Sequence, residues 1–341
     1  GNSLKKISKV GKSPKSFNNE YGVPLSLLNL SYSDSYGVLE LGMDKKGEID
    51  YLSKIIQPDV SVITNINFAH AKNFKNIQHI AAAKSEIIQN TKPGGFVVLN
   101  ADDNFFNLHK KKAIYNKLKF VSFGIKNKNS DVKFLDIKKK GNYYELCIKF
   151  NRLKKYFLVS NDFQSNIYNI LATLAVMSIY INIFRLDKKI FLKFKVPQGR
   201  GDLSKIKIFK KNINLIDESY NSNPLSLKSA ILNYDKILSK NFKKYLLLGD
   251  MLELGKHSKK LHQSIASIIN KTKIDKVFIK GHYMKYMFEK LSNSKKGRIL
   301  SSKTQIIDLL RNDLANNDSL MIKASNATGF NKITNEIKGI N

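Results

Sequence analysis

Along the chain, short apolar runs alternate with longer segments whose apolar positions recur at helical spacing. Such alternation predicts parallel strands joined by crossover helices. Residues 38–41, 60–66 and 96–100 read as buried strands, and residues 49–57 and 77–90 between them as amphipathic helices. The second helix is closed by Lys92-Pro93-Gly94-Gly95, a turn that ends a helix and opens a strand. The pattern changes over 131–158, where residues 132–137, 143–150 and 156–159 read as a small meander with Gly141-Asn142 as its hairpin turn. A long helix over 165–181 follows. Residues 187–201 then gather Pro197, Gly199 and Gly201, which predicts a hinge. Beyond it the alternation resumes, with strands at 215–217, 245–248, 277–279 and 320–322 and helices starting near Pro224, Ser258, Tyr283 and Lys303. The expected architecture is α/β, two consecutive doubly wound domains over 1–190 and 191–341 with a groove between them.

A length of 341 residues accommodates two such domains, and 42% hydrophobic with 10% aromatic residues supplies a core for each and excludes global disorder. The longest apolar stretch, 167–183, is broken by Tyr168, Asn169, Thr173, Ser178 and Asn182, so no membrane span is expected. A single cysteine, Cys147, excludes a disulfide framework and a thiolate metal cluster, and its alternation in the meander reads as packing. With no apolar targeting segment at the front, the expected location is the cytoplasm. The net charge of +32 points first to nucleic acid, yet only Arg152, Arg185, Arg200, Arg298 and Arg311 among the 59 basic residues are arginines. The lysines are spread among many Ile and Asn, a compositional bias, and no nucleic-acid partner is expected. What the charge adds is general attraction for anionic small molecules.

In an open parallel sheet, ligands bind outside the carboxyl ends of the strands. Glu40 ends the first strand-like run, and Asn65 and His70 follow the second. Lys84 lies in Ala81-Ala82-Ala83-Lys84-Ser85-Glu86, a helical stretch whose small residues allow close approach. Singly, these read equally as an edge carboxylate, a loop histidine and a solvated lysine; together they suit Mg²⁺ and nucleotide phosphates.

The strings around them closely resemble the central domain of the Mur ligases: Glu40-Leu41-Gly42 with Gly47-Glu48-Ile49, Asn65-Ile66 with Ala69-His70 and Phe74, and Ala83-Lys84-Ser85-Glu86-Ile87. Similar support comes from Phe17-Asn18-Asn19 with Gly22-Val23-Pro24-Leu25, Leu99-Asn100-Ala101-Asp102-Asp103, and Ser165-Asn166-Ile167-Tyr168-Asn169. Most specific is the pair Asp217-Glu218-Ser219-Tyr220-Asn221-Ser222-Asn223-Pro224 and Gly249-Asp250-Met251-Leu252-Glu253-Leu254-Gly255. The resemblance implies a central ATPase domain followed by a Rossmann-like C-terminal domain, and an ATP-dependent amide ligase working through an acyl phosphate. The details are most similar to members acting on UDP-N-acetylmuramoyl-tripeptide and D-alanyl-D-alanine, which implies those partners, a cytoplasmic monomer, and ATP and Mg²⁺ as cofactors. It further implies that Glu40, His70 and a carbamylated Lys84 hold Mg²⁺ and form the catalytic set. By the same resemblance, Asn166 and Asn169 contact adenine, Arg200 and Asp217 reach phosphate and ribose, and Asn221 also contacts nucleotide. Asn18, Asn19, Asn65, Lys323 and Ser325 fall to the substrates, although Ala324 replaces a glycine usual in that last loop. Asp250, Glu253 and His262 read either as part of this site or as a helix-start cluster; His79, His109, His257 and His282 receive no role.

Two departures stand out. The family's UDP-binding domain is not represented, and its phosphate loop is not intact. Gly11-Lys12-Ser13 lacks the earlier glycine, because position 6 is Lys6, and Pro14 follows where a helix should open. Gly1-Asn2-Ser3-Leu4-Lys5-Lys6 reads better as the remainder of that loop and helix. Losing such a contact set removes roughly a thousandfold in rate, so the chain alone is expected to be weak or inactive. The alternatives are another Mur-type or folylpolyglutamate-synthase-like ligase, against which the 217–224 string argues, and a non-catalytic nucleotide-binding remnant.

Overall fold

A computed structural model describes residues 1–14, 16–68, 71–160, 166–194, 196–237 and 242–339. The chain forms two compact units, one of Gly1–Ile66 with Asn73–Lys195, the other of Asn67–Lys72 with Val196–Asn341.

The first unit opens with a 3-10 turn, Leu4–Lys6, and β1 (Val10–Lys12). After α1 (Gly22–Leu28), β2 (Tyr36–Val38) pairs with β1 in parallel, Lys12 opposite Val38. Gly11 and Lys12 thus lie in a strand, which no phosphate loop permits, and Lys12 Nζ donates to Asn2 Oδ1 at 3.0 Å. Then come α2 (Glu48–Ile56), β3 (Val60–Ile63), α3 (Ile77–Lys84), α4 (Glu86–Gln89), β4 (Phe96–Asn100), α5 (Phe106–Tyr115) and β5 (Lys119–Gly124). The antiparallel meander β6 (Val132–Lys140), β7 (Tyr143–Phe150) and β8 (Leu153–Ser160) extends the sheet, which runs β3-β4-β5-β6-β7-β8 and is parallel as far as β6. Finally α6 (Ile167–Tyr180) buries Ile170, Leu171, Leu174, Ala175 and Met177 against Val98, Phe123, Leu146 and Phe157 of the sheet.

Two differences from the sequence reading have local causes. The helix expected over 77–90 breaks at Ser85, whose hydroxyl donates to the Ala82 carbonyl at 2.6 Å and so competes with the helical ladder. The strand expected to reach Leu41 stops at Val38, because Glu40 N donates to Ser13 Oγ and Gly42 N to the Asn18 carbonyl, drawing the chain out of the ladder.

The second unit starts its sheet with β9 (Asp202–Ile208), antiparallel to β10 (Lys211–Glu218). The chain continues through α7 (Pro224–Asp235), β11 (Lys244–Gly249), α8 (Ser258–Ile269), β12 (Lys276–Lys280), α9 (Met284–Glu289), β13 (Lys296–Ile299), α10 (Lys303–Asp308), β14 (Ser319–Lys323) and α11 (Phe330–Gly339). The order is β13-β12-β11-β14-β10-β9, parallel except for β9. Residues alternate along the central strands into two cores. Leu246, Leu248 and Met321 face α7 and α8 with Ile231 and Ile265, whereas Tyr245, Leu247 and Ile322 join Ile306 and Phe330 of α10 and α11. The carboxyl ends of β10, β11 and β14 carry the strings singled out above.

Candidate functional site

In the first unit, the loop after β2 presents Glu40, an exposed carboxylate whose Oε1 accepts from Asn18 Nδ2 at 3.2 Å. Asn19 looks elsewhere. Its Oδ1 accepts from Gly22 N at 2.8 Å and Tyr21 N at 3.3 Å, fixing the start of α1. Lys84, the last residue of α3, donates from Nζ to the Asn65 carbonyl at 3.2 Å. Burial pushes its pKa down, with the Asp103 charge opposing. A desolvated lysine has more of the neutral amine, the form that captures CO₂ as a carbamate. Asp103 holds the Asn65 turn in place: its Oδ2 accepts from Ile66 N at 2.7 Å, its Oδ1 from Phe105 N at 2.8 Å. Glu86, nearly buried, receives Gly47 N and Asp50 N at 3.1 Å and anchors the start of α2.

His70 lies outside the described residues. Among the described residues no group of three His, Cys, Asp or Glu is arranged to hold a metal. Glu40 offers an oxygen suited to Mg²⁺, and Lys84 fits such an ion only as a carbamate, since an ammonium would repel it.

At the start of α6, Asn169 Nδ2 donates to Asn166 Oδ1 at 3.0 Å, and Asn169 is exposed. Between them Tyr168 donates its hydroxyl to Asp102 Oδ2 at 2.9 Å. Asp102 also accepts from the backbone N–H groups of Ile125, Lys126 and Asn127. Burial acts against the charge, yet these donors hold Asp102 below the usual carboxylate range, while burial and Asp102 push the Tyr168 hydroxyl up. One carboxylate thereby ties the Asn166–Asn169 turn to the end of β5.

The second unit arranges its residues around a tight loop before β9. The exposed Arg200 guanidinium lies 4.2 Å from the centroid of the Tyr220 ring, and Gly199 N donates to Asp202 Oδ1 at 2.5 Å. Gly201 N donates to the Asp217 carbonyl at 2.7 Å; Gly201 has φ +101° and leaves only 2.9 Å between a built Cβ and Glu218 Oε1, so glycine is required there. Asp217 is 1% exposed, and neither of its oxygens is idle. Oδ1 accepts from Ser219 N at 3.0 Å and Ser219 Oγ at 2.6 Å, and Oδ2 from Lys338 Nζ at 2.5 Å. Burial disfavours the Lys338 ammonium, but its bonds to Asp202 and Asp217 raise its pKa all the same. Lys338 was not singled out from the sequence. Only its place on an amphipathic terminal helix signals it.

Lys323 is buried and donates to Glu218 Oε2 and the Asn221 carbonyl, each at 3.0 Å. Ser325 donates to the Ser222 carbonyl at 3.0 Å and accepts from Leu252 N at 2.9 Å. Both therefore lock the loops after β10, β11 and β14 together, while the exposed Asn221 uses its side-chain oxygen on Ser222 N. Ala324 packs where the usual glycine would sit, its Cβ close against Gly249. The helix-start reading of the β11 loop fits Asp250, which accepts from His282 N and Met284 N at the head of α9. His262 is wholly buried: Nε2 accepts from Met251 N at 3.0 Å and Nδ1–H donates to the Ser258 carbonyl at 2.7 Å. Burial lowers its pKa. Its two bonds describe a neutral, structural imidazole.

Comparison with known proteins gives a consistent result. Residues 2–177 match the family described as Mur ligase middle domain, and residues 204–326 that described as Mur ligase, glutamate ligase domain. A curated relative from Buchnera aphidicola subsp. Acyrthosiphon pisum, a UDP-N-acetylmuramoyl-tripeptide--D-alanyl-D-alanine ligase, is 33% identical over 341 residues, covering 94% of this chain and 69% of its own. The Bacillus subtilis protein of the same name is 30% identical over 333 residues, covering 96% and 70%. Among solved structures, a MurF from Acinetobacter baumannii superposes with a TM-score of 0.85 at 24% identity over 99% of this chain and 72% of that one. The MurF of Thermotoga maritima in complex with ADP gives 0.84 at 24% identity, over 99% and 75%. These two likenesses concern the fold.

Proposed function

The chain belongs to the Mur ligase family, and from that premise we propose that it joins D-alanyl-D-alanine to UDP-N-acetylmuramoyl-tripeptide at the expense of ATP. The observation that carries this reading is the 33% identity to a ligase of that name across 94% of the chain. The terminal carboxylate of the peptide attacks the γ-phosphorus of ATP, forming a C–O–P bond as the bond to ADP breaks. The dipeptide amine then attacks the acyl carbon, the C–N bond forms, the C–O bond to phosphate breaks, and the amine proton leaves.

Each step gathers negative charge on phosphoryl or carbonyl oxygens, so cations must be placed in advance. Glu40, His70 and a carbamylated Lys84 are the residues that would hold Mg²⁺, which supplies Lewis-acid stabilisation of those oxygens when bound. Arg200 offers its guanidinium to phosphate, and Asn166 and Asn169 offer amides to adenine. Asp217, expected at the ribose, is 1% exposed with both oxygens bonded to Ser219 and Lys338, so it acts through the loop it shapes, while the exposed Asn221 offers its amide nitrogen to nucleotide. Asn18 and Asn65 serve the substrates beside Glu40 and Lys84. Asn19, Lys323 and Ser325 act by shaping loops, since their polar atoms are committed to protein partners. We further propose a cytoplasmic monomer; no helix among the described residues is long and apolar enough to cross a membrane.

The test is phosphate release with UDP-N-acetylmuramoyl-tripeptide, D-alanyl-D-alanine, ATP and Mg²⁺, on this chain and on a fusion carrying the remaining segment of the Buchnera relative. Phosphate release that requires both substrates, in either protein, supports the reading. A fusion that folds and binds both substrates yet releases no phosphate refutes it.

A further inference from the structure

The family match in the second unit ends at residue 326, so α11, which begins at Phe330, is given no task by that match. Its contacts give it one. Lys338 Nζ donates to Asp202 Oδ2 at 2.7 Å and to Asp217 Oδ2 at 2.5 Å, and one turn earlier Asn335 Oδ1 accepts from Gln198 Nε2 at 2.6 Å. The three partners bracket one short loop. Gln198 precedes Arg200, and Asp202 follows it and receives Gly199 N on its other oxygen. Asp217 lies opposite Asp202 in the β9–β10 register and its carbonyl receives Gly201 N. The Arg200 loop is thus held at both ends by groups that α11 in turn holds.

We propose that Lys338, assisted by Asn335, is a positioning residue that presets the Arg200 loop for a nucleotide polyphosphate. The physical argument concerns the two carboxylates. Asp202 and Asp217 face each other across the strand pair, and Asp217 is buried, so without a cation between them their charges repel. Lys338 removes that repulsion and lets both carboxylates keep the orientations in which they grip Gly199 and Ser219. Arg200, exposed and stacked on Tyr220, then waits at a fixed place with little conformational freedom left to lose on binding an anion. This inference rests on the nucleotide role proposed for Arg200 and extends it to a helix outside the family match.

The experiment compares the whole chain with Lys338→Met, Lys338→Arg and Asn335→Ala, using hydrogen exchange of the peptide spanning residues 196–204 and calorimetric titration with ADP. Lys338→Met should speed exchange in that peptide about tenfold or more and weaken ADP about tenfold, with exchange in β11 and β12 unchanged. Lys338→Arg should restore both values substantially, and Asn335→Ala should move both in the same direction by less. Unchanged exchange in the loop of Lys338→Met overturns the proposal, as does faster exchange with ADP affinity equal to that of the unaltered chain. Should Lys338→Met fail to fold, Asn335→Ala and Lys338→Arg carry the same comparison. Failure of the ligase reading shows differently: the unaltered chain and the fusion then release no phosphate, while the exchange contrast among the variants persists.

Discussion

At the scale of single residues, the structure separates side chains free to meet a ligand from those already spent on the fold. Lys84 is the sharpest case of the first kind, with its depressed pKa and, among the described residues, a single carbonyl as hydrogen-bond partner. In the fusion protein, Lys84→Ala should abolish substrate-dependent phosphate release, with partial recovery on adding short carboxylic acids if a carbamate is the working form. Full activity in Lys84→Ala would remove it from the site. His262 is the opposite case. Its folded pKa lies below the ordinary value of 6.5, so the unfolded chain takes up the proton first as pH falls. The stability of the neutral, doubly bonded imidazole is therefore complete above that value and declines as pH drops toward the depressed folded pKa. Urea midpoints measured at about pH 7.5 and 5 should converge in His262→Gln relative to the unaltered chain, and an identical pH slope in the two proteins would contradict this assignment.

At the scale of elements, Glu86 shows how a motif residue works through structure. Its carboxylate, almost buried, collects Gly47 N and Asp50 N at the positive end of α2, so Glu86→Ala should cost roughly 2 kcal/mol, read as a lowered denaturant midpoint. Asn223 closes a capping box with Ser226 in front of Pro224, and Asn223→Ala should cost about 1 kcal/mol in the same measurement. Elements with strong apolar periodicity or a clear turn, such as β4, the β6–β8 meander, α6 and the four central strands of the second unit, were legible in the sequence. β9, β13, α5 and α11 were not. β9 and β13 lie at sheet edges, β9 with alternate residues in solvent and β13 with Arg298 and Ile299 exposed and no residue buried, and α5 is rich in lysine, so their burial signal is thin. For the candidate site, the sequence singled out Lys84 and Arg200 by the motifs around them. It was silent where a contact depends on chain segments far apart, as with Lys338, 121 positions from Asp217.

At the scale of the whole molecule, a net charge of +32 over 341 residues makes self-repulsion a global term. Thermal unfolding midpoints should rise as NaCl increases from about 20 mM to about 200 mM, because screening weakens that repulsion; a midpoint independent of salt would show that local ion pairs already balance it. Strand order has a further consequence, for synthesis. β14, made after both β10 and β11, lies between them in the sheet of the second unit. Until residues 319–323 leave the ribosome, β10 and β11 each keep a bare edge facing an empty lane, and the unit cannot close around its core. The meander β6–β8, with neighbours in sequence paired in space, forms as soon as it emerges. A ribosome stalled before residue 319 therefore displays a finished sheet in the first unit and two open strand edges in the second, the species on which a chaperone or a protease would act.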